Sequence, residues 1–111
     1  MDKTQIRDAA TIIVLRDAQT VPSVLMGQRG ASAAFMPGKF VFPGGAVDTV
    51  DADVPVTLDH AQTLHLSHES TRTPTALAAA AIRELWEETG QILGHPATWD
   101  DAPKGWRGFA A

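Results

Sequence analysis

The 111-residue sequence contains no cysteine, and it has no excess of positive charge. The first absence excludes disulfides, a thiolate nucleophile and a cysteine-type zinc site. Lys and Arg number 9 against 13 Asp and Glu, so the net charge is −4 and the isoelectric point is near 5.4. Proteins that bind nucleic acid polymers usually carry a basic face, and we therefore do not expect such a polymer as the main partner. A small phosphorylated substrate held through a metal ion is compatible with an acidic protein.

Long hydrophobic runs are also missing. The apolar stretches are far shorter than the roughly 18 residues that a membrane span requires, and nothing resembles a signal peptide. We therefore expect a cytoplasmic protein without a membrane partner. A hydrophobic content of 44% and a charged content of 20% are those of an ordinary globular protein. A chain of this length supports one small domain.

The most informative stretch is an acidic segment that follows an alanine-rich run. Residues 83–90 read Arg-Glu-Leu-Trp-Glu-Glu-Thr-Gly. In a helix, Glu84, Glu87 and Glu88 share one narrow face, although carboxylates at i and i+4 repel each other. A cluster of hard oxygen ligands suits a divalent cation such as Mg²⁺ or Mn²⁺. The alternative is a solvated acidic face, and the spacing alone leaves both open.

The secondary structure can be outlined from the same sequence. Thr73 is a typical N-cap, Pro74 suits the first helical position and Gly90 suits the C-terminal end, which predicts a helix over 74–89. Apolar, β-branched stretches predict strands, and a further strand could begin at Ile92 and Leu93. The predicted strands cover residues 9–15, 21–26 and 39–42.

The acidic segment and the Pro43-Gly44-Gly45 turn upstream of it together resemble the signature of the Nudix hydrolases, G-x5-E-x7-R-E-U-x-E-E-x-G-U, in which U is aliphatic. The match runs from Arg83 through Gly90, with Gly45 as the opening glycine. The slot of the first glutamate falls on Thr75 when counted back from Arg83, and on Asp51 when counted forward from Gly45.

The resemblance implies an α/β (α+β) fold, namely a Nudix-type α/β/α sandwich with a mixed sheet. Because several strands of that fold follow the signature helix, we expect residues 1–111 to form a single, partial Nudix domain that represents its N-terminal part only. Counted from Asp51, the segment before Arg83 is longer than in the family, which predicts a long inserted loop at about 49–73.

The resemblance also implies roles for the motif residues. Glu84, Glu87, Glu88 and the Gly44 carbonyl would hold Mg²⁺ (or Mn²⁺), and Gly44 and Gly45 would lie against the substrate. Arg83 would support the catalytic glutamates Glu87 and Glu88, through an i, i+4 pair with Glu87 or by orienting a turn residue. For the general base we favour Glu88; Asp51 or a residue outside this chain are the alternatives.

The substrate is suggested by residues upstream of the turn. The order Arg29, Gly38, Phe42-Pro43-Gly44-Gly45 is similar to the coenzyme A diphosphatase branch of the family, with Ala34 in the place of a second arginine. Arg29 and Lys39 are candidate phosphate contacts, and the alternative for both is ordinary surface charge flanking a strand.

The resemblance implies a Mg²⁺-dependent hydrolase that cleaves a pyrophosphate linkage in a small-molecule diphosphate, with coenzyme A or acyl-coenzyme A as the first candidates. The alternatives are an ADP-ribose or dinucleotide pyrophosphatase and a non-catalytic Nudix-like ligand-binding domain. A homodimer is compatible with each of them.

Overall fold

A computed structural model of the chain describes residues 7–28, 30, 38–68, 70–94, 98–103 and 106. These residues form a mixed α+β structure in which short strands precede the helices along the chain. The strands are β1 (Ala9–Thr11), β2 (Leu15–Arg16), β3 (Ser23–Val24), β4 (Gly27–Gln28), β5 (Phe40–Val41) and β6 (Gly44–Ala46). The helices are a 3₁₀ helix (Thr49–Asp53), α1 (His60–Leu66) and α2 (Pro74–Thr89).

Helix α2 begins and ends where its sequence predicts. The Thr73 hydroxyl accepts a hydrogen bond from the Ala76 amide at 3.2 Å, and Pro74 occupies the first turn, where a missing N–H costs nothing. Gly90 ends the helix with φ of 77°, a left-handed conformation that glycine adopts without steric penalty. The predicted helix over 74–89 is therefore confirmed.

The strands are shorter than predicted, and each one pairs with a single antiparallel partner among the described residues. Strand β1 pairs with β6, β2 with β3, and β4 with β5. The predicted strand over 9–15 is interrupted between β1 and β2, and Ile92 and Leu93 form no strand. The pairing that matters most for the site is β1 with β6, because it sets Gly44 opposite Thr11 and Gly45 opposite Ala10.

The segment predicted as an inserted loop contains regular structure. Besides the 3₁₀ helix it includes α1, whose N-cap Asp59 accepts from the Gln62 amide at 2.8 Å while Gln62 Oε1 accepts from the Asp59 amide at 2.9 Å. This reciprocal capping box is a local signal for a helix start that hydrophobic periodicity does not register. Leu66 at the end of α1 packs against the core at α2.

The buried residues lie mainly along α2 and the segments that cross it. One cluster combines Val47 of the chain after β6 with Ala76, Leu77 and Ala80 of α2. Small alanine side chains let neighbouring backbone approach the helix closely. No helix in the described part of the chain is both long and apolar enough to cross a membrane.

A second cluster lies on the adjoining side of α2. Val54, which follows the 3₁₀ helix, packs there with Ala79 of α2 and with Trp106 from the C-terminal segment. Trp99 stands beside Trp106 with the two ring centroids 5.8 Å apart. Both clusters hold the glycine strand β6 and the 3₁₀ helix against α2, and this arrangement positions the candidate site.

Candidate functional site

The acidic face of α2 meets the glycine turn directly. The Gly44 amide donates a hydrogen bond to Glu88 Oε1 at 3.1 Å, joining residues 44 positions apart in the chain. The backbone of Gly45 faces the Glu84 carboxylate so closely that a Cβ added at this position would lie 2.6 Å from Glu84 Cδ. Any side chain here would displace the carboxylate, so the close approach of turn and helix depends on glycine.

Arg83 lies at the centre of the site and is buried, with 3% of its surface exposed. Its Nε donates to Asp51 Oδ1 at 2.9 Å, and Nη2 donates to Asp51 Oδ2 at 3.0 Å, which forms a bidentate pair. Nη2 also donates to the Ala46 carbonyl at 3.1 Å, and Nη1 donates to Glu84 Oε1 and Glu87 Oε2, both at 3.1 Å. A guanidinium has five N–H groups, so this set of contacts uses every one of them.

The predicted i, i+4 pair between Arg83 and Glu87 is thus present, and Arg83 also holds a residue of the glycine strand through the Ala46 carbonyl. The burial of Arg83 was not expected from the sequence, because arginine is rarely buried unless it is paired. The hydrogen bonds from Arg83 to Asp51 are the main reason that the pKa of the guanidinium is raised further.

Asp51 is the buried partner of Arg83 and is fully shielded from solvent. Its carboxylate accepts four hydrogen bonds: two from Arg83, one from the Asp48 amide at 2.8 Å and one from the Trp106 indole at 3.1 Å. Burial by itself raises the pKa of Asp51, but the bonds from Arg83, Asp48 and Trp106 outweigh it and lower the pKa below its usual value. A carboxylate so enclosed stays ionised and cannot reach a substrate water, which removes Asp51 as a candidate base.

The two residues that could stand in the first glutamate slot have different surroundings. Asp51, counted forward from Gly45, pairs with Arg83. Thr75, counted back from Arg83, lies in the first turn of α2, where its hydroxyl is 3.4 Å from that of Thr73. The residues between Asp51 and Arg83 therefore do not keep these two side chains apart.

Trp106 is a site residue that the sequence did not reveal. It lies 55 positions from Asp51, and no local spacing or motif connects the two. The indole is 1% exposed, so the N–H that it donates to Asp51 is shielded from water. The one available sequence signal is general: a buried tryptophan usually finds an acceptor for its N–H.

The three glutamates differ in their surroundings. Glu84 is mostly buried, and burial is the main reason that its pKa is raised; the nearby charges of Glu87 and Glu88 raise it further, while Arg83 opposes the shift. The side chain of Glu87 is 39% exposed, and Glu88 is exposed. Among the described residues, no three His, Asp or Glu side chains converge closely enough to hold a metal ion as they stand. Arg83 holds Glu84 and Glu87, and the Gly44 amide holds Glu88, so the carboxylates would have to turn toward a common point.

Two adjoining recesses open beside Glu88, with volumes of about 400 and 510 Å³. Glu88 and Val41 line both of them. The first is lined further by Gly27, Gln28, Gly30, Pro43 and Thr89, and the second by Ala9, Thr11, Met26, Phe40, Phe42, Gly44 and Gly45. The recesses give solvent access to Glu88 between the glycine turn and the strands β4 and β5.

Of the two candidate phosphate contacts, one belongs to the described residues. Lys39 is exposed and precedes β5 without lining either recess. Arg29 lies outside the described residues. Neither assignment is tested by the geometry, and both stay predictions.

Comparison with known proteins gives two matches that each cover more than three quarters of this chain. The chain is 40% identical over 86 residues to a curated Caenorhabditis elegans protein named "Putative nudix hydrolase 7", a match that covers 78% of this chain and 22% of that protein. It superposes on the crystal structure of a NUDIX hydrolase from Alicyclobacillus acidocaldarius with a TM-score of 0.60 and 37% identity, covering 83% of this chain and 40% of that one. No family model matches the chain.

The chain thus spans about a fifth of the length of the curated relative and 40% of the solved one. The expected fold class is confirmed as a partial α+β domain that matches a Nudix hydrolase fold. The likeness in sequence and the likeness in fold agree: this chain belongs to the Nudix hydrolase family.

Proposed function

We propose that this chain carries the metal-binding part of a Nudix hydrolase that cleaves a pyrophosphate linkage in a nucleoside diphosphate derivative. The observation that carries the proposal is the hydrogen bond from the Gly44 amide to Glu88, because it holds the acidic face of α2 against the glycine turn. Both parts of the signature thereby face the same recesses. The similarity to two proteins named as Nudix hydrolases supports the same reaction class.

The donor set fits Mg²⁺ or Mn²⁺ in kind. Glu84, Glu87 and Glu88 supply carboxylate oxygens, and the turn adds the Gly44 carbonyl; these are the hard ligands that such cations take. Burial, and to a smaller extent the charges of Glu87 and Glu88, raise the pKa of Glu84, and a bound cation would offset both effects. When bound, such an ion neutralises phosphate charge and activates a water molecule.

The remaining steps belong to the chain itself. Glu88 is exposed to both recesses and is the best placed carboxylate to accept the proton of an attacking water, so we retain it as the base. Glu87 and Glu84 would act mainly as ligands. Arg83 would orient them through Nη1 while Asp51 fixes the other side of the guanidinium.

For the substrate we favour coenzyme A or acyl-coenzyme A, as the order of residues from Arg29 to Phe42 suggests. ADP-ribose and dinucleotides are the alternatives within the same reaction class. The cytoplasmic location and a homodimer also stay predictions of the sequence.

A non-catalytic ligand-binding domain is the second candidate function. The observation in its favour is that the three glutamates of the described chain do not converge on a common point. An enzyme requires them to move together when the cation binds, whereas a binding domain does not.

The test is a panel of coenzyme A, acyl-coenzyme A, ADP-ribose and a dinucleotide, assayed with and without Mg²⁺ on this chain and on a form extended at its C-terminus. We expect Mg²⁺-dependent release of products from at least one of them by the extended form. Binding of a panel member without hydrolysis of any would favour the non-catalytic domain.

A further inference from the structure

We propose that Trp106 is a positioning residue for the metal ligands, acting through Asp51 and Arg83 on Glu84 and Glu87; this inference rests on the proposed function. The starting point is the indole N–H, which donates to the same oxygen of Asp51 that accepts from Arg83 Nε. A residue of the C-terminal segment thereby reaches the buried centre of a site formed by the glycine turn and α2.

The chain of contacts is short and continuous. Trp106 and Arg83 share Asp51 Oδ1 at 3.1 and 2.9 Å, and the opposite side of the guanidinium reaches Glu84 and Glu87 at 3.1 Å. Trp106, Asp51 and Arg83 are each buried, so water cannot replace a lost partner. A rotation of the Asp51 carboxylate would therefore shift the guanidinium, and the shifted guanidinium would displace both glutamate side chains.

The number of hydrogen bonds around Asp51 explains why Trp106 affects the orientation of the Asp51 carboxylate. Asp51 accepts four hydrogen bonds, about the number that two carboxylate oxygens can take. Arg83 uses all five of its N–H groups, so its orientation is set once Asp51 is set. Removing the indole N–H frees one acceptor site on Oδ1 and allows the carboxylate to turn about the bidentate pair.

The packing of Trp106 offers a way to separate its two roles. The ring packs with Val54 and Ala79 and stands against Trp99. Phenylalanine retains an aromatic ring in this place and lacks the five-membered part of the indole, which carries the N–H donor. Trp106→Phe thus removes the contact with Asp51 while most of the apolar packing is retained.

Trp99→Phe is the matched control, since it removes an indole N–H from the neighbouring ring of the same aromatic pair. We would measure Mn²⁺ binding to both variants by the electron paramagnetic resonance signal of the free ion, together with their thermal unfolding. Trp106→Phe should weaken Mn²⁺ binding about tenfold, as expected for residues that orient metal ligands. Trp99→Phe should bind Mn²⁺ like the unaltered chain, with both variants folded.

A second measurement uses the unaltered chain and does not depend on any variant folding. Mg²⁺ bound to the second carboxylate oxygens of Glu84 and Glu87 would weaken the bonds that these side chains accept from Arg83 Nη1. The guanidinium would then sit closer to the Asp51 oxygen that it shares with Trp106. The indole N–H signal of Trp106 in a ¹H–¹⁵N spectrum should therefore move on saturation with Mg²⁺, and that of Trp99 should not.

The outcomes are distinct. Equal Mn²⁺ binding by Trp106→Phe and the unaltered chain, or an equal loss in Trp99→Phe, overturns the positioning role. An indole N–H signal of Trp106 that does not move on saturation with Mg²⁺ also overturns the positioning role, even if the variant fails to fold. Failure of the unaltered chain to bind Mn²⁺ at all refutes the proposed metal site, and the inference falls with it.

Discussion

The two sides of the Arg83 guanidinium lie in contrasting regions of the molecule. The inner region, formed by Asp51 and Trp106, is buried and every one of its donors and acceptors is used. The outer region, formed by Glu87 and Glu88, is exposed, and Glu88 borders the two recesses. One arginine connects them, so the same side chain stabilises the fold on one side and orients acidic groups on the other.

This contrast indicates that buried and exposed charges of one small site have different effects on stability. A buried ion pair contributes little net stability compared with apolar packing, yet breaking it is costly because a charge is left without a partner. An exposed carboxylate costs little to leave unpaired and can change partners. The inner region should therefore respond to loss of a charge mainly by losing stability, and the outer region mainly by losing activity.

The largest effect is expected in the outer region. Replacing Glu88 by Gln in the extended form removes the proposed base and one metal ligand, and turnover should fall by roughly 10²- to 10⁴-fold. The melting temperature should change little, because Glu88 is exposed. Steady-state kinetics and a thermal melt measure both quantities, with Asp53→Asn as a control at an exposed carboxylate. Turnover of Glu88→Gln equal to that of the control would refute the role of Glu88.

The next effect belongs to the inner region. Arg83→Met leaves the Asp51 carboxylate buried without a counter-charge, and the free energy of unfolding should fall by about 3–5 kcal/mol. Urea unfolding followed by circular dichroism measures this loss. The double variant Asp51→Asn, Arg83→Met should lose less than the sum of the two single variants, because the two side chains interact directly. Additive losses would mean that the pair is not coupled.

The two glycines of β6 allow an effect on the fold to be compared with an effect on the acidic site. A Cβ at Gly44 would collide with backbone atoms of Ala10 and Thr11, which cannot move without breaking the β1–β6 pairing, whereas a Cβ at Gly45 would meet the movable end of Glu84. Gly44→Ala should therefore destabilise the fold by about 1–3 kcal/mol. Gly45→Ala should cost less stability but displace Glu84 and weaken Mn²⁺ binding. Urea unfolding and Mn²⁺ titration of both variants test this, and equal stability losses would contradict it.

The smallest effect is a pH dependence in which the two carboxyls beside Arg83, those of Asp51 and Glu84, oppose each other. Asp51 has a lowered pKa in the folded state, so its stabilisation is present above its unfolded pKa and is lost as the pH falls through the folded value. Glu84 has a raised pKa, so its stabilisation is present below its unfolded pKa and is lost as the pH rises through the folded value.

Unfolding free energies measured in EDTA across the acidic range distinguish the two contributions. Asp51→Asn should remove the loss of stability on the acid side. Glu84→Gln should instead remove the gain in stability that protonation of this buried carboxyl provides as the pH falls. A pH profile that neither substitution alters would show that these carboxyls do not govern acid stability.

Much of the local structure was predictable because its causes are local. Thr73, Pro74 and Gly90 determine the ends of α2 through backbone preferences and one capping bond, and the structure has the same ends. The capping box of α1 is equally local, but it is a signal in polar residues that hydrophobic periodicity does not register. Strand lengths were overestimated, since pairing depends on partners elsewhere in the chain.

The sequence by itself determined the acidic stripe on α2, the glycine turn and the family to which they point, because motif spacing and helix periodicity are properties of neighbouring residues. Only the tertiary structure decided that Asp51 rather than Thr75 pairs with Arg83, that this arginine is buried, and that Trp106 completes the shell around Asp51. These contacts join residues 32 and 55 positions apart. The reason is that a buried charge takes whichever partners the folded chain brings within hydrogen-bonding distance, and sequence separation does not restrict that choice.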